Sequence, residues 1–188
     1  MLIVLFLFTG ITACDNKIYE ETAKATLKNL TEQANTVFNL FYNPMDCDPI
    51  EYDSTKTIII ITDENNNVFY PVATNDSYKS FADIKARCES VFTVEYCTEN
   101  LYDIGFNGSP TEAPVYMEQA DILYVNSSIT RSSLEMAFDY NTINITKQTD
   151  NEITVNMDVF DYNFYPRVQA MIKMAKVDGN WRISFLFD

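Results

Sequence analysis

The chain predicts an α+β fold: a long N-terminal helix packed on a curved antiparallel sheet, with a helical hairpin inserted between early and late strands. Three observations carry this. Leu27, Leu30, Ala34, Val37, Phe38 and Phe41 recur at spacings of three and four, one helical stripe. From Val168 onward Val168, Ala170, Ile172 and Met174 alternate, then Trp181, Ile183, Phe185 and Phe187, around a turn at Asp178-Gly179. Strand side chains alternate between faces, so each set makes an apolar wall for the helix to cover. Between these segments Ser80 with Asp83, and then Thr93, read as helix N-caps.

Composition bounds the function classes. The chain has 188 residues, 47% hydrophobic, which suffices for one domain with a core. Its 27 acidic and 13 basic residues leave a net charge of −14. Nucleic acid is a poor partner for such a surface, because phosphate recognition needs clustered Lys and Arg. A basic protein is a better one. There is no histidine. Ser-His-Asp and Cys-His machinery and His-ligated metal sites are therefore excluded.

Taken in order, Leu2–Phe8 is an unbroken apolar run of seven residues. It is far shorter than the ~20 residues a membrane-spanning helix needs and fits the core of an export signal. Ile11-Thr12-Ala13-Cys14 follows and resembles the lipobox of bacterial lipoproteins. The resemblance implies removal of residues 1–13, a diacylglycerol anchor on Cys14, a tether over residues 14–17 and a single domain over 18–188. The other reading is a hydrophobic N-terminal strand with a buried cysteine.

The helical stripe comes next, and Pro44 ends it. Asp46, Asp48, Glu51 and Asp53 then put four carboxylates in eight residues, a solvated loop or a contact for a cation or basic partner. Thr57–Thr62 and Val68–Val72 read as a hairpin. Its turn begins D-x-N-x-N, but Val68 and Thr74 stand where a calcium loop needs Gly and Glu, so no metal site is expected. Phe81, Ile84, Cys88 and Val91 stripe the first inserted helix; Cys97, Leu101 and Ile104 stripe the second, with Gly105 as its expected stop. Val115–Met117 and Ile122–Val125 are short strands about a turn at Gln119–Asp121. Ile143 and Ile145 alternate, as do Ile153, Val155, Met157 and Val159, so the C-terminal half is an antiparallel meander.

Helix followed by meander, closing in Gly179-Asn180-Trp181-Arg182-Ile183, resembles the NTF2-like and cystatin-like α+β superfamily. More narrowly, Phe69-Tyr70-Pro71-Val72, Tyr78–Lys85, Val91–Glu95 and Ile122–Val125 resemble the IseA-type inhibitors of D,L-endopeptidases from Gram-positive cell walls. That resemblance implies a cone-like fold and an extracytoplasmic, non-catalytic lipoprotein on the outer face of the cell membrane. It would restrain a wall hydrolase as a monomer and need no cofactor.

Three functions follow. The first is such a binding or inhibitory module, with Asp46, Asp48, Glu51 and Asp53 as candidate contacts. The second is a small-ligand binder or carboxylate-dependent enzyme in the mouth of the cone, where Asp139, Tyr140, Asp158 and Tyr162 offer acid-base groups. The third is a structural surface domain. A buried carboxylate in a deep apolar pocket would favour the second; a filled cone favours the others. With Cys14 lipidated, Cys88 and Cys97 come level if the two inserted helices run antiparallel about Thr93. They are then either a disulfide, needing Cα atoms roughly 4.4–6.8 Å apart, or reduced core thiols. Cys47 stands apart in its loop.

Overall fold

The computed structural model describes residues 11–44, 50–61, 66–72, 77–108, 112–129, 136–161 and 167–187. The first helix, α1, spans Ile11–Tyr42. It starts ahead of the apolar stripe, so residues 14–17 are helical backbone. Ala23, Leu27, Leu30, Ala34, Val37, Phe38, Leu40 and Phe41 are buried along one side, as the stripe requires. Thr31 is buried with them; its hydroxyl reaches the Leu27 carbonyl at 2.9 Å and the Tyr140 hydroxyl at 3.0 Å, which removes the cost of burying it. The Asn43 N–H donates to the Asn39 carbonyl in the last turn, and Pro44 follows.

The expected single sheet is two four-stranded antiparallel sheets. Strands β1 (Ile58–Ile61), β2 (Asn66–Pro71), β3 (Tyr116–Gln119) and β4 (Ile122–Asn126) form the first, in the order β1-β2-β4-β3. Strands β5 (Met136–Gln148), β6 (Glu152–Asp161), β7 (Val168–Val177) and β8 (Asn180–Leu186) form the second as a plain meander. Alternation tells which face of a strand is buried but carries no information about its neighbour, so the division was invisible in the pattern. Both hairpins of the first sheet lie where expected. The β3–β4 turn puts Ala120 and Asp121 at φ 50° and 60°, the two left-handed residues of a tight hairpin, without a glycine at either.

The helical insertion lies between β2 and β3. Helix α2 is Phe81–Glu89 and α3 is Val94–Cys97. The Ser80 and Thr93 caps are both present: Ser80 Oγ accepts from the Asp83 N–H and Thr93 Oγ1 from the Tyr96 N–H, each at 3.3 Å. Beyond Cys97 the helix widens to a π-helical segment, Thr98–Asn107. It ends at Gly108, with φ 67°, and not at Gly105. Gly105 serves close approach instead, since Phe41 packs directly onto its backbone. The corner between α2 and α3 docks on the second sheet: the Thr93 N–H donates to the Ile183 carbonyl at 2.9 Å, and the Ile183 N–H to that of Val91 at 2.8 Å.

Helix α1 joins the parts. Phe38 meets Phe92 at 5.3 Å between centroids, and Phe41 meets Phe106 and Tyr116 edge-on at 6.1 and 6.2 Å. The Tyr116 hydroxyl donates to the Leu40 carbonyl. Ile153, Val155, Met157, Val159, Ala170, Ile172, Met174, Ile183 and Leu186 of the second sheet are buried in the same core. Truncating one of these, such as Met157→Ala, should cost about 2–5 kcal/mol.

Two predicted wall positions are corrected, the first by a bulge. Lys173 pairs with Phe185 but Met174 with Ile183, so Ser184 is an extra residue in β8. One inserted residue reverses every face beyond it. Leu186 therefore points inward, while Phe185 turns outward under Lys173, whose Nζ lies 5.0 Å from its ring centroid. Val168, also expected in the wall, is 48% exposed at the start of β7.

A candidate binding groove

Strand β5 is the irregular member of the second sheet. Asp139 pairs with Asp158 but Asn144 with Asn156, and Ile145 pairs with Val155 but Lys147 with Thr154. These two bulges add residues to β5 only, and an added residue bends and twists the strand that holds it. Thr142 closes the first one: its hydroxyl donates to the Asp139 carbonyl and accepts from the Asp158 N–H, both at 2.8 Å. Asn35 holds the start of the strand against α1, bonding both the Met136 carbonyl (2.8 Å) and N–H (3.3 Å). Further on, Lys28 Nζ lies 5.5 Å from the Tyr140 ring centroid.

Past Tyr140 the helix and strand part, leaving an open groove of about 1170 Å³. The first half of α1 (Tyr19–Thr26) forms one wall and β5 from Ile143 to Gln148 the other, with Ile153, Lys176 and Trp181 from the rest of the sheet. Its charged groups are largely engaged. Lys24 lies 2.7 Å from Glu20 and holds that carboxyl below its ordinary 4.5 by hydrogen bond and charge. Lys147 bonds Glu152 at 2.6 Å, and Lys176 Nζ lies 5.8 Å from the Trp181 ring centroid.

The acid-base groups weighed for a catalytic cone do not converge here. Asp139 and Asp158 do meet, directly across the β5–β6 pair, but on the face turned away from α1. Arg167 Nη2 binds both, at 3.0 and 2.6 Å, with its guanidinium 5.2 Å from the Phe160 ring centroid. Tyr140 lies on the opposite face with Thr31; burial raises its phenol above the ordinary 10.0 and the Thr31 bond offsets part of this. Tyr162 is outside the described residues. The buried polar side chains among the described residues are Thr31, Thr93, Asn126 and Thr154; none is a carboxylate. Among the described residues no group of three or more His, Cys, Asp or Glu side chains could hold a metal ion.

The acidic loop is described only from Ile50 onward, so Asp46, Cys47 and Asp48 lie outside it. Glu51 is exposed. Asp53 is anchored: its N–H donates to the Pro71 carbonyl at 2.9 Å. Its carboxylate accepts from the Thr55 hydroxyl and N–H, with Lys56 at 3.3 Å, which hold it below its ordinary 3.8. Cys14 lies in the first turns of α1, and among the described residues no helix is long and apolar enough to cross a membrane. Cys88 and Cys97 are neighbours, as the hairpin geometry required. They are free thiols, both buried and hydrogen-bonded to each other. That bond and burial push the Cys88 thiol far above its ordinary 9.0.

Sequence reasoning missed the groove. Trp181 reads only as part of an apolar wall, Gln148 only as the start of a turn over Gln148–Asn151, and Asn144 and Tyr19 carry no pattern. The one available signal was the loss of alternation after Ile145, where the run turns polar. No protein-family model matches the chain, and a search of curated proteins finds no match.

Proposed function

We propose that the protein is a non-catalytic binding module, anchored through a lipid on Cys14 to the outer face of a bacterial cell membrane, that holds a wall hydrolase of the D,L-endopeptidase type in check. The observation that carries the non-catalytic part is the filled interior. Beyond the groove, from Leu27 onward, the space between α1 and the second sheet is occupied by Leu27, Leu30, Val37, Met157, Ile172 and Met174, each at most 6% exposed. A cone of the NTF2-like kind that works as an enzyme keeps that space for substrate and a buried carboxylate; here it is core. The long helix across a bulged meander supports the cone reading itself.

Charge supports the partner. A surface carrying −14 steers a basic protein and raises its association rate more than its final affinity. Glu51 and Asp53 sit on a loop fixed to β2, with Asp46 and Asp48 preceding them. Cleavage ahead of Cys14 leaves the helical backbone beginning at the lipidated residue, so the domain would stand close to the membrane. The full chain added to purified walls with a D,L-endopeptidase should slow their solubilisation. The effect should weaken with salt, as surface charges are screened over roughly 8 Å at 0.15 M. Unchanged wall turnover at saturating protein would refute the inhibitor reading. Membrane association that survives Cys14→Ser would refute the anchor.

A further inference from the structure

We propose that the groove between α1 and β5 binds a segment of a neutral, hydroxyl-rich glycan strand. Its size is the first reason. About 1170 Å³ exceeds the ~300–1,000 Å³ of ordinary small-molecule pockets, and the groove is not enclosed, so it suits a segment of a polymer.

The chemistry of the lining is the second reason. The lining holds two acids, Glu20 and Asp150, and two bases, Lys147 and Lys176, so its charges balance. In a chain of net charge −14 this is a locally balanced surface, unlike one selected for a basic partner. The acidic loop thus serves a different ligand class, and the two sites can fail independently. Thr26, Asn144 and Gln148 add uncharged groups; the two amides can donate and accept, which matches hydroxyls that do both. Aromatic rings supply the apolar contact: Tyr19, 61% exposed, and Trp181 at the tip of the β7–β8 hairpin. The C–H faces of a pyranose pack on such rings while its hydroxyls keep their polar partners. An extended peptide pairing with the β5 edge is the poorer occupant, because the two bulges disrupt a regular ladder there.

Trp181 is the chain's one tryptophan and lines the groove, so its fluorescence, excited selectively over the tyrosines, responds to an occupant there. The full chain in detergent micelles should give a saturable fluorescence change with the N-acetylglucosamine tetramer, insensitive to added salt. Gln148→Ala, an exposed position, should weaken this by about two- to twelvefold, the value of one lost hydrogen bond. Trp181→Ala, with its fold checked by circular dichroism, should lose the binding heat in calorimetry. Asp53→Asn in the acidic loop should leave tetramer binding unchanged. No response at millimolar tetramer overturns the proposal. So does wild-type affinity in Gln148→Ala, or a saturable, salt-sensitive response to a lysine-rich peptide in place of the sugar.

Discussion

Gly105 lies against the ring of Phe41 so closely that a Cβ on it would clash with Cε1 and sit 2.7 Å from Cδ1. Phe41 is fully buried and flanked by Phe106 and Tyr116, so its ring has no space to retreat into. Gly105→Ala gains up to about 1 kcal/mol of helix propensity but overpacks the core at about 1–3 kcal/mol. Overpacking should win, and the urea midpoint should fall. Phe41→Leu in the same chain should recover part of the loss, since the two positions are coupled. Additive effects of the two substitutions would count against direct contact.

The cap of α2 should make stability depend on pH. Asp83 Oδ2 accepts from the Lys79 N–H and the Ser80 hydroxyl, both at 2.9 Å, and these bonds hold its carboxyl below the ordinary 3.8. A carboxylate whose folded pKa is depressed stabilises the fold above its unfolded value and loses that contribution as pH falls through the folded value. Asp83→Asn should therefore be less stable than the wild type at pH 6, and the gap should close below pH 3.8. A gap of constant size across that range would mean the ionised form contributes nothing. Ser80→Ala should cost roughly 0.5–2 kcal/mol at pH 6, as other N-cap losses do, and less below pH 3.8, where its bond to the ionised Asp83 carboxylate is lost in the wild type as well.

These two sites differ in how far they could be read from the residues. Ser80-x-x-Asp83 is local, so the sequence contains the whole interaction, and the cap stands where it was expected. Gly105 reads as a helix stop because its actual constraint, the Phe41 ring, lies 64 positions away. The strands were legible by alternation, but the partition into two sheets depends on pairing partners. The bulge at Ser184 depends on the β7 ladder, which is why Phe185 was assigned to the wrong face. The same holds for the groove. Tyr19, Gln148 and Trp181 are far apart in the chain, and no spacing relates them. Cys88 and Cys97 were legible because a short helical hairpin relates them geometrically.

That thiol pair should be chemically silent in the native state. The thiolate is the reactive form, and both burial and the Cys97 bond disfavour it at Cys88. At pH 8 iodoacetamide should label neither residue in the folded chain and both in urea, by peptide mass mapping. Rapid native labelling of Cys88 would show that the α2–α3 corner opens. Cys88→Ala should destabilise through lost packing alone, since the site is core and the partner thiol can pack as a small hydrophobe.

Arg167 is the remaining test of the outer sheet face. Asp139 and Asp158 oppose each other across β5 and β6, an arrangement that destabilises when both are charged and nothing lies between them. Arg167 Nη2 is bonded to both. Arg167→Met keeps much of the apolar stem that lies by Phe160 but removes the charge. The loss should be about 1 kcal/mol, the scale of partly exposed pairs. Added salt should reduce it, because screening weakens the carboxylate repulsion left behind. Adding Asp139→Asn to the variant should restore most of the stability, since one carboxylate then faces a neutral amide. Asp139→Asn that failed to rescue Arg167→Met, with the loss indifferent to salt, would place the arginine's contribution in packing on Phe160. The ion pairs to these two half-buried carboxylates would then have no part in the fold, and the carboxylates' candidacy as functional groups would reopen.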